Sequence, residues 1–115
     1  MSASRWVPDR GDIVWLDFDP QAGHEQAGRR PAVVLSPAPY NRLLGLALVC
    51  PITSRQKGYD WEEALPVGIP ITGFVLTDQV RSLDWRKRNA DFVVTLPSDS
   101  MRRISRLATR LIEWN

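Results

Sequence analysis

DIVWLDFD, residues Asp12 to Asp19, stands between Gly11 and Pro20 and carries Val14, Leu16 and Phe18 at every second position. Successive side chains of a strand point to opposite faces, so this spacing marks a half-buried β-strand. Working outward, GHEQAGRR (Gly23 to Arg30) has two glycines and no apolar period, and reads as a loop. Pro31 then opens the β-rich run Ala32 to Ser36, a strand's first position being one that tolerates proline. SPAPYN (Ser36 to Asn41) has turn chemistry, Leu46 to Ile52 is a third strand, and KGYD (Lys57 to Asp60) is another turn. Short strands are predicted at Trp61–Leu65, Phe74–Thr77, Val80–Leu83 and Phe92–Leu96. Strands this short between turn clusters point to a small barrel or a strongly curled antiparallel sheet, a mainly β fold of the α+β kind.

The period changes at the end of the chain. Met101, Ile104, Leu107, Ala108, Leu111 and Ile112 recur at steps of three and four, which draws an apolar stripe on a helix over about 98–113. Ser98 is its expected N-cap, and Asp99 would meet the positive end of the helix dipole. At 1.5 Å per residue such a helix is roughly 20 Å long, enough to cover one side of a small barrel.

The chain has 115 residues, which is enough for one domain spanning 1–115 and too few for two. The longest apolar run, Leu43 to Ile52, is interrupted by Gly45 and Pro51 and falls short of a membrane span. The amino terminus has Arg5, Asp9 and Arg10 and no apolar core of a signal peptide. One cysteine, Cys50, rules out an internal disulfide and any cysteine-rich zinc site, and its place in an apolar strand favours an inert thiol. A cytoplasmic location is expected from these features together. The net charge of +2 is too small to establish a nucleic-acid partner, but 13 of the 15 basic residues are arginine. Arginine forks onto phosphate and stacks on bases better than lysine does, although a GC-rich genome would enrich it equally well.

Among the residues able to do chemistry, a metal site is not supported. His24 is the one histidine, and the carboxylates have no ligand spacing. No Gly-x-Ser-x-Gly turn presents a serine, and no phosphate-binding glycine motif occurs. An enzyme built from this chain must work with carboxylate, guanidinium, hydroxyl and backbone groups, with neither metal nor cofactor. Such groups crowd into the loop His24, Glu25, Gln26, Ala27, Gly28, Arg29, Arg30. A carboxylate near two guanidiniums could bind a phosphate and move a proton there, or the loop could be a solvated hairpin with a weak surface ion pair. Thr53 and Ser54 follow the third strand, where hydroxyls either meet a ligand or cap a turn. Tyr59, Trp61 and Trp85 lie beside charged residues, as base-stacking aromatics do, yet packing is the commoner role of tryptophan. The run Arg81 to Arg88 interleaves basic and aromatic groups, as a nucleic-acid groove or a solvated strand end would.

Five segments decide between these readings. PDRGDIVWLDFDP (Pro8 to Pro20), EQAGRRPAVVLSP (Glu25 to Pro37), YN (Tyr40, Asn41), CPITSRQKGY (Cys50 to Tyr59) and TDQVRSLDWR (Thr77 to Arg86) occur in order. Together they resemble the motif set of the MazF/PemK toxins, over nearly the whole chain. The resemblance implies a CcdB/MazF-type fold, a curled SH3-like β-barrel with helices packed on it, built as a homodimer. It also implies metal-independent cleavage of single-stranded RNA at short motifs, with an ACA-containing site the one suggested by the matching loops. The family's loop acid matches Glu25, its arginine before the Pro-Ala-Val strand matches Arg30, and its threonine after the third strand matches Thr53. RNA contacts are expected from His24, Gln26 and Arg29 on the loop, and from Ser54, Arg55, Lys57 and Tyr59 after the third strand. Further contacts are expected from Asp78, Gln79, Arg81, Trp85 and Arg86. Arg29 and His24 depart from the family pattern, Arg29 as an additional cation beside the matched arginine.

The chemistry implied is attack by the RNA 2′-hydroxyl on the adjacent phosphorus, leaving a 2′,3′-cyclic phosphate and a 5′-hydroxyl. Glu25 would take the proton, Arg30 would stabilise the charge building on phosphate oxygens, and Thr53 would add a hydroxyl hydrogen bond. A guanidinium is too weak an acid to serve readily as the proton donor. The partner implied is an antitoxin of the MazE kind with an acidic, disordered tail that covers the RNA groove. Two alternatives remain at this point: a gyrase-poisoning toxin of the same fold, and an SH3-like module that binds nucleic acid or peptide without cutting.

Overall fold

The computed structural model describes residues 6–18 and 28–114. The strands are β1 (Asp12–Asp17), β2 (Arg29–Val34), β3 (Leu46–Thr53), β4 (Glu62–Ala64), β5 (Phe74–Leu76), β6 (Arg81–Asp84) and β7 (Asp91–Thr95). Among the described residues the helices are α1 (Ala38–Leu44), between β2 and β3, and α2 (Ser98–Arg110), after β7. All seven strands join one antiparallel sheet in the order β4-β5-β3-β2-β1-β7, with β6 also paired to β3. One edge of β3 is therefore shared: Leu46 to Val49 pair with β6, and Ile52 and Thr53 pair with β5.

The alternation read from the sequence sorts the core into two clusters, one on each face of the sheet. Val14, Leu16, Ala32, Val34, Ala47 and Val49 join Phe18, Leu83 and Trp85 on one face. Their neighbours Ile13, Val33, Cys50 and Ile52 join Val75, Leu96, Met101 and Ile104 on the other. Helix α2 covers the second face through Met101 and Ile104, while Leu111 and Ile112 stand 49% and 81% exposed beyond its end. Among the described residues the stripe is thus buried at Met101 and Ile104, half-buried at Leu107 and Ala108, and exposed beyond them.

Three expectations are corrected. Ser36 to Asn41 opens helix α1 and is not merely a turn. Pro39 falls in its first turn, where a missing N–H costs nothing, and Gly45 ends it in the left-handed conformation at φ 71°. Asp9 Oδ1 accepts the Ala38 N–H at 2.8 Å, so the cap comes from a residue 29 positions away, which no local pattern reveals. The C-terminal helix starts after Pro97, with no side-chain cap from Ser98, and ends at Arg110. Pro31 lies inside β2 rather than at its start, because the strand begins with Arg29.

Asn41 ties this end of the fold together. Its amide donates to the carbonyls of Pro8 and Ser36, its Oδ1 accepts from Ser36 Oγ, and its carbonyl accepts from Trp85 Nε1. Every polar atom of this buried side chain is thereby satisfied.

Candidate RNA-cleavage site

β2 and β3 pair in the register Ala32↔Pro51, Val33↔Cys50 and Val34↔Val49. Continued two residues further, that register sets Arg30 opposite Thr53, and both line one open cleft of about 550 Å³. Arg29, Pro31, Ser54, Arg55, Trp15 and Ile52 line it too, with Pro70, Ile71 and Thr72 closing it from the β4–β5 segment. Arg30 is exposed and Thr53 half-buried. Thr53 Oγ1 accepts the Arg55 N–H at 3.2 Å, which orients the hydroxyl and leaves its proton free for an acceptor in the cleft. Gly73 is what holds the β4–β5 segment against Thr53. Its φ is +139°, and a Cβ there would lie 2.4 Å from the Thr53 carbonyl oxygen.

Arg29 points to other work than Arg30. Its guanidinium donates to Asp17 Oδ1 at 2.8 Å, to Asp91 Oδ2 at 2.6 Å and to the Asn89 carbonyl at 2.9 Å. Asn89 also donates to Asp17 Oδ2. Hydrogen bonds from Asn89 and then Arg29 hold the Asp17 carboxyl below its ordinary range. Among the described residues no carboxylate pairs with Arg30. Two adjacent arginines that look equivalent in the sequence thus differ: one is spent on the fold, and the other is exposed with no carboxylate partner among the described residues.

The remaining expected contacts divide by position. Ser54 and Arg55 are in the cleft. Lys57 and Tyr59 lie on the β3–β4 connection, where Glu62 accepts the Lys57 and Gly58 N–H groups. Tyr59 donates its hydroxyl to Asp78 Oδ1, and burial followed by that bond pushes its pKa up to about 12. Asp78 and Gln79 are exposed on the β5–β6 connection. Arg81 lies with its guanidinium 5.3 Å from the Phe18 ring centroid.

Trp85 is a correction, and exposed Arg86 lies beside it. Trp85 is 6% exposed, belongs to the first core cluster and stacks edge-on with Trp6 at 6.0 Å, so its ring offers no platform to a base. Arg86 covers Trp85 and reaches the Arg42 carbonyl. Both sit beyond the Leu46 end of β3, which pairs with Asp84. Seven residues of strand separate Leu46 from Thr53, about 23 Å. His24, Glu25 and Gln26 lie outside the described residues.

Sequence reasoning missed most of the apolar lining of the cleft: Ile52, Pro70 and Ile71. No motif marks them, since they meet only when β3 pairs with β5. Cys50 is buried, and desolvation raises its pKa to about 12, so it is no nucleophile. Among the described residues no helix is long and apolar enough to cross a membrane.

Residues 9–112 match the family described as PemK-like, MazF-like toxin of type II toxin–antitoxin system. The endoribonuclease toxin MazF of Escherichia coli K12 is 48% identical over 101 residues, covering 88% of this chain and 90% of that protein. The endoribonuclease PemK of Escherichia coli is 38% identical over 109 residues, covering 90% and 81%. The crystal structure of MazF from Deinococcus radiodurans superposes with a TM-score of 0.85 at 51% identity, covering 93% of this chain and 97% of that one. A crystal structure of MazE–MazF from the same organism gives 0.83 at 45% identity, covering 93% and 96%.

Proposed function

The chain belongs to the PemK/MazF family of type II toxin–antitoxin toxins and is an endoribonuclease, and we propose that it cuts single-stranded RNA at the Arg30–Thr53 cleft by internal 2′-hydroxyl attack. The observation that carries this reading is the meeting of an exposed guanidinium, to which no described carboxylate is paired, and an oriented hydroxyl in a cleft large enough for a nucleotide. Arg30 binds the phosphate and stabilises negative charge that grows on its non-bridging oxygens as the 2′-oxygen bonds to phosphorus. Thr53 donates a hydrogen bond to the same phosphate. The bond to the 5′-oxygen breaks, leaving a 2′,3′-cyclic phosphate on one product, and the departing 5′-oxygen takes a proton from solvent water to become a 5′-hydroxyl. Glu25 takes the 2′-hydroxyl proton by family resemblance. The reaction brings its own nucleophile, so none of these steps calls for a metal.

The complex of MazE with MazF in Deinococcus radiodurans supports an antitoxin partner for this chain as well. A homodimer and a cytoplasmic location are part of the same proposal. For the dimer, the support within the chain is the exposed apolar end of α2 and the 82% exposed Leu43 of α1, surface that a second copy would bury.

The test is incubation of purified protein with a long defined RNA and with DNA of the same sequence, in EDTA. RNA cleavage leaving cyclic phosphate ends, with DNA intact, is the expected result. A requirement for a divalent metal, or cleavage of DNA, would sink the mechanism, and absence of any cleavage would favour a toxin that acts only by binding.

A further inference from the structure

The cleft is chemically lopsided. Arg30, Arg55, Thr53 and Ser54 supply its charge and hydroxyls, whereas Trp15, Ile52, Pro70 and Ile71 carry no charge at all. Cations and hydroxyls of the first kind suit phosphate, and phosphate contacts position a nucleic acid without reading its sequence. An uncharged wall with one hydroxyl, that of Thr72, suits the face and edge of a base. The volume of about 550 Å³ also exceeds what a phosphate alone needs.

We infer that the β4–β5 segment Pro70–Thr72, backed by Ile52 and Trp15, is the base-reading wall that sets which nucleotide is accepted beside the cut phosphate. This rests on the endoribonuclease reading of the cleft and adds the residues that choose its sequence. The wall is held at a fixed distance from the reacting phosphate by three observed features. Gly73 lies against the Thr53 backbone so closely that no Cβ fits between them. Phe74 pairs with Thr53 and Val75 with Ile52 in the β3–β5 ladder. Leu65 donates its N–H to the Gly73 carbonyl at 2.9 Å, closing the base of the segment. A base held by this wall and a phosphate held by Arg30 and Thr53 would therefore be locked in one mutual geometry. Trp15 and Ile71 are both half-buried and line the cleft, and Ile71 also packs against the second core cluster.

Mapping of cleavage ends on one long defined RNA, with wild type, Ile71→Ala and Thr72→Val, tests this. Single-turnover rates on RNAs differing by one base beside the cut complete the measurement, and circular dichroism confirms folding. Thr72 is exposed, so its variant keeps the test open even if Ile71→Ala proves unstable. Discrimination at one base position should fall about tenfold in at least one variant, as loss of a single apolar or hydrogen-bonding contact to a substrate does. Wild-type cleavage together with an unaltered motif in both variants, whether rates hold or fall evenly at every site, overturns the inference alone. Absence of RNA cleavage by the wild type overturns the catalytic reading and this one with it.

Discussion

Arg29 Nη1 and Asp17 Oδ1 lie 2.8 Å apart at the end of the β1–β2 ladder, where Asp17 and Arg29 are themselves paired in register. The same guanidinium reaches Asp91 of β7 at 2.6 Å, so one side chain bridges three neighbouring strands. Its neighbour Arg30 is then left to the cleft. This division of labour bears on the reaction, because a cation that already has two carboxylates has little charge to offer a third anion.

Arg29→Ala is expected to leave the salt dependence of binding to uncleavable RNA unchanged. Arg30→Ala should reduce that slope by about 0.7, the loss of one phosphate contact on a single strand. Binding titrations from low to moderate salt measure both. A slope that falls in Arg29→Ala as much as in Arg30→Ala would mean that Arg29 leaves its carboxylates to bind RNA.

The Arg30→Ala enzyme should cut about 10²–10³-fold more slowly than wild type, since one preorganised charge donor to the transition state is gone. Thr53→Ala should be milder, and Glu25→Ala intermediate. Single-turnover cleavage of one RNA ranks the three. Arg29 cannot substitute for Arg30 while it holds Asp17 and Asp91, so Arg29→Ala/Arg30→Ala should be no slower than Arg30→Ala by more than a few-fold, provided that it folds. A tenfold further loss in the double variant would contradict this.

Acid should loosen this end of the sheet. The folded Asp17 carboxyl titrates below its ordinary value of 3.8, through hydrogen bonds from Asn89 and Arg29. A lowered pKa stabilises the fold in full above that ordinary value, and the contribution disappears as pH falls through the folded value. Thermal melts of wild type and Asp17→Asn should therefore differ at pH 6 and converge as pH drops below 3.8. Curves that stay parallel over the whole range would assign the difference to something other than this carboxylate.

Gly73→Ala is expected to cost at least about 1–3 kcal/mol of stability, the usual strain of a side chain in such a backbone conformation. The added Cβ would meet the Thr53 carbonyl oxygen at 2.4 Å, so β5 must move or Thr53 must. Cleavage should fall well below what lost stability explains, measured under conditions where the variant is fully folded. Gly68→Ala is the control: its φ is also positive, at +90°, but nothing lies within 4 Å of its Cβ, so it should lose stability and keep activity.

How much was legible depends on the range over which each feature is determined. The strands of DIVWLDFD and LALVCPIT follow from alternation and from apolar continuity, both local, and their bounds agree with the sequence reading to within two residues. Helix α1 was hidden because its cap comes from Asp9 and its buried anchor, Asn41, looks like a turn residue. Arg30 and Thr53 were each visible as groups able to do chemistry, but only resemblance to known toxins joined them, since nothing in their spacing of 23 positions shows that they share a cleft. Trp85 was misread because a tryptophan among arginines looks like a stacking platform. Its indole N–H is instead paid out to the Asn41 carbonyl deep in the core. The apolar wall of the cleft was largely illegible, as its members come from three separate segments, β1, β3 and the β4–β5 connection.

The pairing of β1 with β7 joins Asp12 to Thr95, and Gly11 accepts the Leu96 N–H as well. A ribosome making this chain from its amino end must therefore finish nearly all of it before the first strand can find its outer partner. Until then β1 offers a bare hydrogen-bonding edge beside an uncovered apolar face. Closure over so long a stretch of chain is entropically costly and slow, in the range of milliseconds to seconds for β-rich domains of high contact order. The nascent protein thus spends its synthesis without a finished sheet. Shortening the chain before β7 should abolish folding altogether rather than trim it.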